Sequence, residues 1–131
     1  MSMTFSVSHE KIEMRDGKAL LIYRPVASAE TFEVNMSNVN ACEVLRTLGL
    51  EAGYCGTVDP RVLASACEFA LAGLASAPEL DGEYPAMVTN TPNGGTIIDC
   101  GRSGGYLKMR ITGLLKLANI AIKCDAVVTW A

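Results

Sequence analysis

Arg15-Asp16-Gly17-Lys18 separates two runs of strand-forming residues, Thr4-Phe5-Ser6-Val7 before it and Ala19-Leu20-Leu21-Ile22-Tyr23 after it. Asp-Gly readily supplies the positive φ angles of a type I′ turn, so the stretch predicts an antiparallel hairpin with strands at 4–8 and 19–24. Pro25 closes the second strand because it has no N–H to give to a ladder. A chain that opens with a hairpin, and then mixes strands and helices without regular β-α-β alternation, points to an α+β domain. Its expected form is a small, mainly antiparallel or mixed sheet packed against three helices, in a single domain over residues 1–131.

Working outward, Thr31-Phe32-Glu33-Val34-Asn35-Met36 alternates apolar and polar residues, as a half-buried strand does. The polar run Asn35-Met36-Ser37-Asn38-Val39-Asn40 then turns the chain into a first helix. Short amides and hydroxyls bind nearby backbone and favour caps over helix interiors. Asn40 followed by Glu43 has the form of a capping box; Val44, Leu45 and Leu48 supply the apolar face, and Gly49-Leu50 the stop. Asp59-Pro60 caps and starts a second helix, whose stripe is expected to be Val62, Leu63, Ala66, Phe69, Ala70 and Leu74, closed by Pro78. After a turn-rich stretch from 77 to 95, Tyr84–Thr89 and Thr96–Cys100 read as a hairpin. A third helix runs from about Gly105 to Lys123, with Leu107, Ile111, Leu114, Leu115, Ala118 and Ile122 inward. Val127-Val128-Thr129-Trp130 reads as a final strand.

Composition narrows the function classes. Half of the residues are hydrophobic and 19% are charged, which suits a compact globule of 131 residues and excludes a disordered chain. The apolar runs are too short and too interrupted for a membrane span, and no secretory leader pattern is present. The five cysteines are odd in number and irregular in spacing, without a C-x-x-C pair, and there is one histidine. That pattern predicts a reducing, cytoplasmic location, with no metal and no cofactor. The net charge is −3, with nine acids between Glu30 and Glu83 against Arg46 and Arg61, while Arg102 to Lys123 holds five cations and no acid. An acidic middle repels phosphate backbones and disfavours nucleic acid.

Two groups of residues remain as site candidates. The glycine-rich turn Asp99-Cys100-Gly101-Arg102-Ser103-Gly104-Gly105-Tyr106 leads from strand to helix, where backbone N–H groups and the helix dipole favour an anion. Cys100, Arg102, Ser103, Gly104 and Gly105 are its candidate ligands, and Cys100 beside Arg102 has the setting of an activated thiol. A structural reading stands beside this one: glycines for a tight turn and Ser103 as the cap. The second group consists of Asn35, Asn38 and Asn40, which cannot all cap one helix, and the loop acids Glu79, Asp81 and Glu83, which read as a solvated acidic tip. These are candidates for contact with a protein partner.

The motifs Asn35-x-Ser37-Asn38-x-Asn40-Ala41, Leu48-Gly49-Leu50, Asp99-Cys100-Gly101-Arg102 with Gly105-Tyr106-Leu107, and the terminal Thr129-Trp130 together resemble a group of small bacterial proteins without a known activity. The resemblance covers most of residues 31–131. It implies a bacterial cytosolic scaffold and carries over no activity, cofactor or catalytic residue.

These readings lead to the expectation of a non-enzymatic interaction module. In its most concrete form this is an immunity-type protein that occludes a basic partner. The alternative is an enzyme or small-anion binder using residues 99–106, with Cys100 as nucleophile or Arg102 as anchor. A third reading is a homo-oligomer in which residues 127–130 complete a sheet across two chains.

Overall fold

The computed structural model describes residues 1–26, 32–83, 85, 87–99 and 103–131, with the backbone alone at 97–99. The opening hairpin is present and longer than its propensities suggest: β1 spans Ser2–Arg15 and β2 spans Lys18–Pro25, paired from Ser8↔Pro25 to Arg15↔Lys18. Asp16 and Gly17 take φ of 51° and 74°, the two positive values that a type I′ turn requires. Next come β3 (Val34–Ser37), α1 (Asn38–Thr47), β4 (Gly56–Val58), α2 (Pro60–Ser76), a single 3-10 turn (Pro78–Asp81), β5 (Met87–Asn90), β6 (Thr96–Asp99), α3 (Tyr106–Lys123) and β7 (Val127–Trp130). The fold is α+β, and every pairing among the described residues is antiparallel.

The main sheet is built on β1. Phe5 pairs with Val34 of β3 and with Trp130 of β7, so those strands flank opposite edges; Ser8 likewise sits between Pro25 of β2 and Val127 of β7. β2 and β3 therefore follow one another along one edge, and β7 lies on the other, with β4 outside it. The β5–β6 hairpin forms a separate two-stranded ribbon. The terminal strand is thus enclosed by β1 and β4 of its own chain, which removes the edge that sheet completion through residues 127–130 would need.

Alternation divides the sheet into two faces. Met3, Phe5, Val7, Val34, Met36, Val128 and Trp130 point into the core, where α1 and α3 lie, and α2 packs against α3. α1 ends as expected: Gly49 has φ 71°, its N–H donates to Arg46 O and that of Leu50 to Leu45 O, both at 2.9 Å, the two bonds of a Schellman stop. Its cap differs from expectation. Ser37 Oγ accepts from the Asn40 N–H (3.3 Å), so Asn40 lies within the first turn instead of capping it. Asp59 caps α2 as expected, accepting from the N–H groups of Arg61 and Val62.

The stripe of α2 is also corrected. Leu63, Cys67 and Leu74 are buried, whereas Val62 is 54% and Phe69 84% exposed. One residue is about 100° of helical turn, and the face that meets α3 is centred on the Leu63–Cys67–Leu74 line, which leaves Val62 and Phe69 outward.

β4 exists because of a close approach. The Phe5 and Trp130 rings stack with centroids 5.6 Å apart, and Trp130 Nε1 donates to Gly53 O at 3.1 Å. This holds the indole against Gly56, where any Cβ would run into the ring. We expect Gly56→Ala to lower stability by about 1–3 kcal/mol through that overlap. Urea denaturation followed by Trp130 fluorescence measures it, and a variant as stable as the wild type refutes the packing account.

Candidate functional site

Small polar side chains occupy the sheet face turned away from the helices. Ser6, Thr129 and Thr57 lie side by side across β1, β7 and β4, because Ser6↔Thr129 and Thr57↔Thr129 are direct cross-strand pairs. Thr129 Oγ1 is 3.0 Å from Ser8 Oγ and 3.5 Å from Ser6 Oγ. On the β3 side, Asn35 Nδ2 donates to Thr4 Oγ1 at 2.8 Å and to Ser2 Oγ at 3.4 Å. Period-two alternation therefore places a row of hydroxyls and one amide on a single face. A hollow of about 530 Å³ opens over this row. It is lined by Thr4, Ser6, Thr57 and Thr129, with Tyr23, Cys55 and the edge of Trp130 around them. These groups offer hydrogen bonds, methyls and aromatic surface, the ingredients of recognition.

The described part of the glycine-rich turn uses its backbone amides within the chain. Cys100 and Arg102 fall outside the described residues. Gly104 and Gly105 lie against Asp81, which comes from the 3-10 turn. Gly105, with φ 79°, precedes α3 and donates its N–H to Asp81 O (2.9 Å), and the Tyr106 N–H donates to Ser103 O (3.3 Å). The Leu107 N–H donates to Asp81 Oδ1 at 2.7 Å and the Lys108 N–H to Asp81 Oδ2 at 2.9 Å. The amides that a helix start leaves unpaired are thereby all satisfied within the chain. The anion favoured at this N-terminus is the protein's own carboxylate, and Ser103 is not the side-chain cap.

This arrangement revises the acidic tip as well. Asp81 is 7% exposed, while Glu79 and Glu83 on either side are exposed to solvent. The three asparagines are equally divided. Asn35 belongs to the hydroxyl face and Asn40 to the first turn of α1. Asn38 borders a hollow of about 230 Å³ with Val39, Cys42, Arg46 and Tyr54. Its Oδ1 is buried without a partner among the described residues. The candidates therefore do not assemble into one surface, and of them only Asn35 lies on the hydroxyl face. Its signal was the alternation Thr4, Ser6, Ser8 in β1.

Cys42, Cys55 and Cys67 carry free thiols. Burial, reinforced by the charge of Glu68, pushes the Cys67 thiol up to about 12. On the outer hairpin, the hydrogen bond from Arg24 (2.8 Å), helped by Arg15 (3.1 Å), holds the Glu13 carboxyl below its ordinary range. No helix among the described residues is long and apolar enough to cross a membrane. Comparison with protein-family models, curated proteins and solved structures gives no match.

Asp81→Ala should cost about 2 kcal/mol, since it removes charge-assisted bonds to one buried and one part-buried amide and the favourable charge at the dipole. Asp81→Asn, which keeps one acceptor, should lose less; chemical denaturation of the three proteins checks the order. Cys67 gives a pH dependence. Below the ordinary thiol value of 9.0 both folded and unfolded chains hold it protonated. Above that value the unfolded chain ionises first, so stability falls as pH climbs toward about 12. Cys67→Val should flatten the fall in a pH series of melting temperatures.

Proposed function

We propose that the protein is a non-enzymatic interaction module that occludes a basic protein partner through the uncovered face of its sheet. The observation that carries this reading is the hollow itself. Its row of hydroxyls selects by hydrogen bonding, and Tyr23, the Trp130 edge and the threonine methyls supply apolar contact. Carboxylates stand nearby. Glu10 lies opposite Tyr23 in the β1–β2 ladder, and Glu51 lines the adjoining hollow that shares Cys55, Gly56 and Thr57. Together with a net charge of −3, they steer a cationic partner toward this side and speed its association. An immunity-type role is the concrete form of such an activity.

The alternative, nucleophilic or anion-binding chemistry at residues 99–106, loses its helix-dipole support because Asp81 already fills the N-terminus of α3. What remains of it is the reactivity of Cys100. Iodoacetamide labelling of Cys100 well below pH 8, abolished in Cys100→Ser, would favour that alternative.

The direct test is affinity capture from the native lysate with the tagged wild type, Thr57→Arg in the hollow and Phe69→Asp on the far side of α2. We expect one stoichiometric basic protein to be retained by the wild type and by Phe69→Asp. Retention by Thr57→Arg should drop at least about tenfold, the loss expected when a bulky cation opposes a cationic partner at the centre of an interface. Equal retention by all three proteins refutes the hydroxyl face as the binding surface.

A further inference from the structure

β1 has a second edge that the sheet uses only in part. β7 ends opposite Ser8, so from Glu10 to Arg15 the edge facing away from β2 meets no strand among the described residues. The direction of its backbone groups follows from the bonds already made. Thr4 exchanges N–H and C=O with Ala131 on the β7 side (2.9 and 3.2 Å), while Val7 O accepts from Val26 N–H on the other. These directions alternate along a strand, so Glu10, Ile12 and Met14 present their N–H and C=O groups to the empty edge. Their side chains are apolar where the arm is most exposed: Ile12 is 71%, Met14 69% and Leu21, opposite Ile12, 56% exposed. An open edge of this kind invites pairing, and a two-stranded arm standing alone is marginal.

We propose that a second copy of this chain covers this edge, with β1 running antiparallel to β1 about a two-fold axis at Ile12. Charge selects the register. An axis at Ile12 sets Lys11 opposite the partner's Glu13 twice over, with Ile12 against its own copy and Glu10 against the partner's Met14. An axis at Lys11 or at Glu13 would instead oppose like charges, which destabilises a ladder. An axis at Met14 would keep only three residues in strand, since the turn begins at Asp16. The Ile12 register also matches the backbone, because the residues it pairs through hydrogen bonds are those whose groups face outward. It further brings the partner's Arg15–Lys18 turn to the end of β7. There a cleft of about 320 Å³ is lined by Glu10, Asp59 and Asp125, with His9 and Arg61. Two ribbons become one four-stranded sheet, and the hollow over the hydroxyl face stays open, so this dimer does not depend on the partner-binding reading above.

Analytical ultracentrifugation over a concentration series tests the proposal. The wild type should sediment at twice the chain mass. Lys11→Glu and Glu13→Lys should each weaken self-association by about tenfold or more, as two opposed pairs turn repulsive. Mixing the two variants in equal amounts should restore the dimer, because every opposed pair is then a carboxylate facing an ammonium. A wild type that stays monomeric, a dimer unmoved by either variant, or a mixture that fails to recover each overturns the proposal. Glu13 also holds Arg15 and Arg24, so a second readout leaves the charges alone. Ile12→Cys places a thiol on the axis, about 5.5 Å between Cα atoms in a hydrogen-bonded pair, within disulfide range. Mild oxidation should give a covalent dimer that neither the wild type nor Leu21→Cys forms; no cross-link in Ile12→Cys overturns the proposed axis.

Discussion

Three of the four other strands in the main sheet are hydrogen-bonded to β1, and the fourth reaches it through β7. The register of that one strand therefore fixes everything placed on either face. Met3, Phe5 and Val7 face the helices only because Thr4, Ser6 and Ser8 face away. A slip of one residue would exchange the two sets, burying hydroxyls and exposing the Phe5–Trp130 stack. The turn at Asp16-Gly17 and the pairing of Phe5 with Val34 and Trp130 pin the register from opposite ends. The length of β1 has a second consequence. Its first half is enclosed by strands on both edges, and its second half continues past β7 as an arm with one edge unpaired among the described residues.

Asp81 performs the corresponding service for the helical layer. Its carboxylate lies 26 residues from Leu107 in sequence, yet it binds the start of α3 as a local cap would. A local cap fixes only the entry of its own helix. This one also ties the 3-10 turn after α2 to α3, and so sets how the two helices meet. The bonds are short and the group is buried, so they act in surroundings of low dielectric where charge-assisted contacts are strong. The same bonds occupy the amides at the start of α3 that would otherwise attract an outside anion.

Features written in adjacent residues were legible in the sequence: the Asp16-Gly17 hairpin, the Gly49-Leu50 stop, the Asp59-Pro60 helix start and the terminal strand. The α+β class follows from them. Features that depend on distant partners were not. β4 is three residues long and exists because β7 pairs with it and Gly56 leaves room for Trp130. Asp81 reads as one of three loop acids until the start of α3 is placed beside it. Val62 and Phe69 fit a helical period, but period alone does not set which way the stripe faces. The candidate site was least legible of all. Hydroxyl alternation in Thr4, Ser6 and Ser8 was visible, but the convergence of Thr57, Thr129 and Asn35 on the same face requires the strand order. Cys100 and Arg102 lie outside the described residues.

The hydroxyl face also constrains how tightly the proposed partner would bind and by what means. Thr129 is engaged with Ser8 and Ser6, and Thr4 with Asn35, so the hydroxyls of Thr4, Ser6 and Thr129 in the hollow already have partners. A ligand that bonds to them exchanges one hydrogen bond for another, and the net gain per bond is small. Affinity for the proposed partner would therefore come from covering Tyr23, the Trp130 edge and the threonine methyls, while the hydroxyls would penalise a ligand that buries them without matching their geometry. For the proposed partner, selection would come from the polar floor of the face and binding from its apolar rim.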